Sequence, residues 1–328
     1  GIEPGSVKVI TPSPKGGKIG ARASVLRLAI RLRSELASQP GARVLCTNWF
    51  PCGLAAWLLR KLTGASFPYY IAVHGAELNS RGRAAGRLKN LLCRLVMRDA
   101  SGIFPVSRYT ADKLARKAGP GLPMRVLSNG VNPSRFFPIL CNQRRSPVIL
   151  SVCRLSEHKG IDTALKAFAI LHERGIEFEY RIAGHGPDRK RLEKIASELG
   201  LSAKVRFLGE VADLNSLYNG CDLFLLLSRE VGGAVEGFGL VFLEAAACGK
   251  ASVGTRSGGI PDAVLDGETG LLVAENDARA AADAIQKLLT DKALRERLAG
   301  RAQLRAREEL SWRAVAGRMS MEMEKLDA

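Results

Sequence analysis

Long apolar runs are missing from this 328-residue chain. None approaches the ~20 residues that span a bilayer, so no transmembrane helix is expected. Paired cysteines are missing too. The seven, at Cys46, Cys52, Cys93, Cys141, Cys153, Cys221 and Cys248, show no C-x2-C or C-x3-C spacing. That argues against a zinc site and a disulfide framework, and for reduced thiols in a cytoplasmic chain. Gly1 to Lys8 has no signal-peptide character. Aromatic residues make up only 6% and do not interleave with the basic ones, so no nucleic-acid partner is expected. Acidic residues are scarce in one half: residues 1–140 hold 22 basic and 5 acidic side chains, whereas 141–328 hold 27 of each. The whole net charge of +17 therefore sits in the first half. A surface of that sign meets anionic matter, such as lipid headgroups or a phosphorylated acceptor.

What is there is ordinary globular composition, 46% hydrophobic and 25% charged, in a length that fits about two domains of ~150 residues. Short Val/Ile/Leu runs alternate with helical stretches. Candidate strands are 7–10, 43–47, 68–73, 102–106 and 125–128, then 148–152, 177–183, 205–207, 223–227, 251–254 and 270–273. Continuous apolar runs of this kind mark strands of a parallel sheet covered on both faces. The expected class is α/β, with two doubly wound domains: a basic one over 1–140, a second over 141–311, and a helix over 312–328 packing back on the first. The polar stretch Cys141–Pro147 reads as the linker. In the helix at Arg81–Arg98, Leu88, Leu91, Leu92 and Leu95 form one stripe, with Arg83, Arg87, Arg94 and Arg98 beside it. Two readings stand: a core-facing helix with a charged flank, or an interfacial helix on an anionic membrane.

Four loops in the second half carry the chemistry. The strand at 148–152 runs into Arg154 and Lys159 just before a helix, where open α/β sheets bind anions. Gly184-His185-Gly186-Pro187 ends the next strand, and glycines there allow close approach of a ligand to the backbone. Phe207-Leu208-Gly209-Glu210-Val211 follows a third strand and offers backbone groups to a nucleobase. The fourth loop runs from Arg229 through Glu236-Gly237-Phe238-Gly239-Leu240 into a helix that holds Glu244. Gly237 and Gly239 leave bare N–H groups at the helix start. Glu236 and Glu244 are placed to clamp sugar hydroxyls. Glu244 lies among Val241, Phe242, Leu243 and Ala245, and a carboxylate in such surroundings has a partner.

These motifs, together with Ser257-Gly258-Gly259-Ile260-Pro261 downstream, resemble the donor domain of retaining glycosyltransferases of family four. The resemblance implies a GT-B fold, two Rossmann-like domains facing a cleft. It implies that Arg154 and Lys159 hold the donor diphosphate and that Glu236 contacts the transferred sugar. Phe238 and Gly239 would supply backbone N–H groups beside Gly237 and Leu240, Glu244 would bind the ribose, and Gly184 and Val211 would lie near the base. In the first half, Val73-His74-Gly75 matches the family's His-Gly, so His74 would reach the donor sugar. Ser107, Thr110 and Asn129-Gly130-Val131-Asn132 also match; Asn132 stands where the family often has Asp and is given no role.

No Asp-x-Asp occurs in the chain, so neither a metal nor another cofactor is expected, and the two cations would substitute for a metal. The mechanism implied is front-side displacement with retention, the enzyme supplying orientation and charge stabilisation. The resemblance implies that one or two opening βα units of the family are missing before Val7–Ile10; the alternative is that Lys15-Gly16-Gly17 is a degenerate form of the family's glycine loop. The turn Ser228–Gly233 is similar to that of phosphatidylinositol mannosyltransferase-like enzymes, which favours GDP-mannose over a UDP-sugar. The expected acceptor is a lipid-linked or cell-envelope glycan, and the expected place is the inner face of the cytoplasmic membrane, held there by the basic half. The competing readings are a soluble transferase with a small phosphorylated acceptor and a same-fold nucleotide-sugar epimerase.

Overall fold

The computed structural model describes residues 8–10, 21–39, 41–78, 84–139 and 146–327. The chain divides into two compact units, Gly1–Leu127 with Ala316–Ala328, and Ser128–Val315.

In the first unit, α1 (Ala21–Ser38) precedes β1 (Val44–Cys46), α2 (Leu54–Thr63), β2 (Tyr69–Val73), α3 (Ala84–Arg98), β3 (Gly102–Pro105) and α4 (Arg108–Ala118). The three strands are parallel in the order β1-β2-β3, with Leu45 opposite Tyr70 and Ile71 opposite Ile103. β2 is almost wholly buried, as an apolar run of five residues between two layers demands. The core gathers Trp49, Tyr69, Ile71, Val96, Met97 and Ile103. The expected strand at Arg125–Ser128 is a short extended ribbon on β3, joined by Arg125 N–H to Ile103 O and Leu127 N–H to Pro105 O, both 2.9 Å. Lys8–Ile10, the described part of the expected strand at 7–10, forms no strand. Lys15-Gly16-Gly17, residues 141–145 of the expected linker and Arg83 lie outside the described residues.

α3 corrects the core-facing reading for Leu88, Leu91 and Leu95 of its leucine stripe, while Leu92, partly buried, packs against the core. Cys93, Val96 and Met97 are fully buried, while Leu88, Leu91 and Leu95 are 61%, 53% and 41% exposed. Two apolar stripes exist on this helix, and periodicity alone does not choose between them. The fold chooses through a contact: Gly53 lacks a side chain, and Ile71 and Val96 close in around its Cα.

In the second unit, β4 (Val148–Val152), α5 (Ile161–Glu173), β5 (Glu179–Ala183), α6 (Arg189–Glu198) and β6 (Val205–Gly209) build one half of a sheet. α7 (Leu214–Asn219), β7 (Leu223–Leu226), α8 (Leu240–Ala247), β8 (Ala251–Thr255), α9 (Ile260–Ala263) and β9 (Gly270–Val273) build the other. α10 (Ala278–Thr290), α11 (Lys292–Leu304) and α12 (Trp312–Asp327) complete the chain. All six strands are parallel in the order β6-β5-β4-β7-β8-β9. The order reverses between β4 and β7, and the crevice outside their carboxyl ends is where such sheets hold ligands. Phe168 stacks on Tyr180 at 4.2 Å beneath α5, in a core shared with Ile149, Leu225 and Ile285.

The unit borders differ from the expected 140/141 and 311/312. Residues 128–139 go with the second unit because their backbone is tied there. Val131 N–H donates to Leu310 O at 2.8 Å, and Phe137 and Ile139 N–H groups donate to the side chains of Asn215 and Asn219. α12 straddles the other border; from Ala316 on it belongs to the first unit, where Tyr70 OH donates to Met323 O at 3.3 Å and Arg43 pairs with Asp327 at 2.7 Å.

Candidate functional site

The switch point of the second sheet is flanked by the loop after β4 and the loop after β7. The first carries Arg154 and Lys159, the second Glu236. Lys159 Nζ and Glu236 Oε2 meet at 2.5 Å, each side chain 16% exposed. Their Cα atoms are 77 residues apart in the chain, and the sheet order alone brings them together. Arg154 is exposed on the same loop and, among the described residues, forms no ion pair.

Backbone geometry holds these loops. Gly160, between Lys159 and α5, has φ +64°, and a Cβ there would sit 1.8 Å from Leu227 O. Gly184, after β5, has φ +122°, and its Cβ would meet Cys153 O at 1.9 Å. Only glycine fits at these two positions. Leu155 N–H donates to His185 O at 2.9 Å, so the loops after β4 and β5 are zipped together. Val211 is half-buried beyond the end of β6. His185 points outward, pairing with exposed Glu210.

The loop after β7 contains a two-residue hairpin turn, Gly232-Gly233, with positive φ at both, closed by reciprocal hydrogen bonds of Val231 and Ala234. Beyond it, Glu236 O accepts from Gly259 N–H at 2.9 Å, which fixes the backbone under the carboxylate. Phe238 is buried and anchors the loop. Gly239, at φ +95°, is the N-cap of α8 and no side chain caps that helix. The start of α8 at Leu240 is 40% exposed, so its leading N–H groups and the positive end of the helix dipole stand beside Glu236. Gly237 links the two. One turn on, Glu244 accepts from Tyr218 OH at 2.7 Å. Burial raises the Glu244 carboxyl above its usual 4.5, against the opposing pull of Tyr218 and Arg135. The partner expected for this carboxylate is therefore a phenol 26 residues upstream, which no local pattern marks.

Two further groups were not singled out in the sequence. Arg229, 8% exposed, grips Asp162 with two bonds of 2.8 and 2.9 Å and reaches Thr163 Oγ1 at 3.1 Å. This clamp ties the loop after β7 to the first turn of α5. Burial works to raise the Asp162 carboxyl, but the bonds and charge of Arg229, with Thr163 N–H and Arg191, bring it below 3.8. An arginine following a strand, 67 residues from an aspartate that opens a helix, is a signal only once β4 and β7 are known to be neighbours. His158 is held below its usual 6.5 by burial and then by Lys159, so this loop gains no third cation near neutrality.

His74 belongs to the first unit. It is exposed at the end of β2, and its backbone N–H donates to Glu77 Oε1 at 2.7 Å, with Gly75 at φ +98° behind it. Ser107 caps α4 through Thr110 N–H at 3.1 Å, and Asn132 Oδ1 accepts from Ser134 N–H in a local turn. Both of these act on the backbone. Of the residues proposed from sequence, Arg154, Lys159, Gly184, Glu236, Gly237, Phe238, Gly239, Leu240 and Glu244 thus lie on the loops after β4, β5 and β7 and the first turns of α8. Two cations, the carboxylate paired with one of them and a helix terminus can bind and neutralise a diphosphate, and a second carboxylate can bind hydroxyls.

Comparison with known proteins gives the same direction. Residues 136–305 match the family described as Glycosyl transferases group 1, and residues 5–130 match the Glycosyl transferase 4-like domain. A GDP-mannose-dependent alpha-(1-6)-phosphatidylinositol monomannoside mannosyltransferase of Mycolicibacterium smegmatis is 34% identical over 260 residues, 75% of this chain and 67% of that protein. The putative colanic acid biosynthesis glycosyltransferase WcaL of Escherichia coli is 31% identical over 265 residues, 79% of this chain and 65% of that protein. This chain spans about two thirds of the length of both. Among solved structures, Anabaena HepE in complex with UDP and glucose superposes with a TM-score of 0.75 at 20% identity, covering 97% of this chain and 85% of that one. That likeness shows the fold, GT-B, with its two parallel-sheet domains.

Proposed function

Because this chain belongs to the group 1 glycosyl transferases, enzymes that transfer sugars, we propose that it moves a hexose from a nucleotide-sugar, GDP-mannose before a UDP-sugar, to a lipid-linked or cell-envelope glycan. The observation that carries the reading is the Lys159–Glu236 pair at the β4/β7 switch point, beside the uncapped start of α8. The preference for GDP-mannose rests on the turn Ser228–Gly233 and on the GDP-mannose-dependent relative. The relatives named above are transferases, which favours this reading over an epimerase.

In the proposed reaction the bond between the anomeric carbon and the diphosphate oxygen breaks, and an acceptor oxygen bonds that carbon on the same face. The acceptor's proton passes to the departing diphosphate, so configuration is retained. Negative charge grows on the leaving group, and Arg154, Lys159 and the N–H groups of α8 are the groups that stabilise it. Lys159 is already engaged by Glu236, so the diphosphate either shares this ammonium or takes it over and frees the carboxylate for the sugar hydroxyls. Glu244, oriented by Tyr218, accepts from the ribose. In this reading no metal ion is required, the cations taking its part. His74 keeps the resemblance as its warrant. The work is done at a membrane surface, the inner face of the cytoplasmic membrane, met through the basic first half.

The test is calorimetric titration with GDP and UDP, with and without EDTA, followed by transfer assays with GDP-mannose and UDP-glucose on envelope lipid extracts. GDP binding that survives EDTA, is lost in Lys159→Ala and is followed by mannose transfer supports the reading. Binding of neither nucleotide, or binding indifferent to Lys159, overturns it.

A further inference from the structure

We propose that the solvent face of α3 is a docking surface for an anionic lipid bilayer. Leu88, Leu91 and Leu95 stand 61%, 53% and 41% exposed. They recur at i, i+3 and i+7, which makes one stripe about 10 Å long on a helix rising ~1.5 Å per residue. That stripe lies roughly opposite the buried Cys93, Val96 and Met97, so it is not a ragged edge of the core. Single exposed leucines need no explanation, but three aligned on one face do.

Arg87, Arg94 and Arg98 run alongside the leucines, about 60–100° round the helix axis by its ~100° step per residue. No Asp or Glu occurs between Ala84 and Arg98. Arg94 Nε donates to Lys117 O at 3.1 Å, and the Arg98 guanidinium lies by Gly119. Among the described residues no carboxylate pairs with any of the three. An apolar stripe with a row of arginines beside it is the pattern of a helix lying in a membrane interface, leucines below the headgroups and guanidinium groups among them.

Charge selects the occupant. A second copy of the chain would bring the same basic half to the contact, and like charges would oppose it. A nucleic acid would satisfy the arginines and leave the leucines in water. An anionic bilayer satisfies both. Among the described residues no helix is long and apolar enough to cross a membrane, so attachment through α3 is peripheral. The inference deepens the membrane part of the proposed function, yet it concerns a surface of the first unit alone. Donor binding and lipid binding can therefore fail separately.

The experiment is co-sedimentation of the whole protein with neutral phosphatidylcholine vesicles and with vesicles that also contain phosphatidylglycerol, at low and high salt. The variants are Leu88→Ser/Leu91→Ser/Leu95→Ser and Arg87→Glu/Arg98→Glu, all at exposed positions. Melting temperature and GDP binding, which neither variant should move, report on folding. The wild type should bind only the anionic vesicles. The leucine variant should partition at least about tenfold less at every salt concentration. Each arginine carries about fivefold, so the arginine variant should lose at least about 25-fold at low salt and little at high salt. Equal binding to both vesicle types, or wild-type binding by a folded leucine variant, overturns the proposal. So does a dimer that dissociates in the leucine variant, or tight oligonucleotide binding that depends on these arginines and leaves vesicles untouched.

Discussion

Replacing Glu236 with Gln should tighten nucleoside diphosphate binding while slowing transfer. The carboxylate Oε2 lies 2.5 Å from Lys159 Nζ, both side chains being 16% exposed. A phosphate oxygen accepting from the same ammonium at about 2.8 Å stands no more than about 5 Å from that carboxylate oxygen. At an effective dielectric of about 20, two unit charges at that separation repel by about 3 kcal/mol. Solvent and salt at a partly open site remove roughly half of it. Gln keeps the shape and a hydrogen bond to Lys159 and drops the charge, so GDP affinity should rise by about 1–1.5 kcal/mol, five- to tenfold. Lys159→Ala, losing a charge-assisted bond, should weaken GDP by about 1.5–3 kcal/mol, roughly 10- to 150-fold. Turnover in Glu236→Gln should fall, because the carboxylate proposed to bind sugar hydroxyls is gone. Calorimetry gives the affinities and a radiolabelled nucleotide-sugar the rate. If Glu236→Gln weakens GDP as Lys159→Ala does, the carboxylate positions the diphosphate instead of opposing it, and the electrostatic argument fails.

Other outcomes follow from the same geometry. Gly160→Ala forces a Cβ to within 1.8 Å of Leu227 O at φ +64°. A loss of at least about 3 kcal/mol is expected, seen as a fall in melting temperature of about 6–12 °C for a unit of this size. A melting curve like the wild type's would mean that the loop relaxes freely. Asp162→Asn leaves Arg229 buried with its ionic partner neutralised and should cost about 3–5 kcal/mol in urea titrations. The Asp162 carboxyl is lowered on folding, so its contribution is full above 3.8 and fades as pH falls through the lower folded value. In Asp162→Asn that acid limb should flatten. Glu244 is shifted the other way. If, as proposed, ribose hydroxyls donate to its carboxylate, GDP affinity should decline on acidification with a midpoint above 4.5. Tyr218→Phe removes the phenol that favours the charged form and should move that midpoint to higher pH; an unmoved midpoint would show that Tyr218 does not govern Glu244.

The sequence by itself determined the α/β class and the parallel sheets, because strands buried on both faces, such as β2 and β7, read as unbroken apolar runs, and nine of the segments read as strands became strands within a few residues of where they were read. It also determined the loops that bear the site. Gly160, Gly184 and Gly239 are needed where backbone closes on backbone or φ turns positive, and that requirement is local. Tertiary structure alone decided what meets what. Lys159 and Glu236, Arg229 and Asp162, and Tyr218 and Glu244 pair because β4 lies beside β7 and α7 packs on α8, a neighbour order that local periodicity does not encode. The same holds for α3. Its two apolar stripes are equivalent to any pattern of 3.6, and it is tertiary packing, with Val96 and Ile71 close against the side-chain-free Gly53, that sends one to the core and leaves the leucines outside.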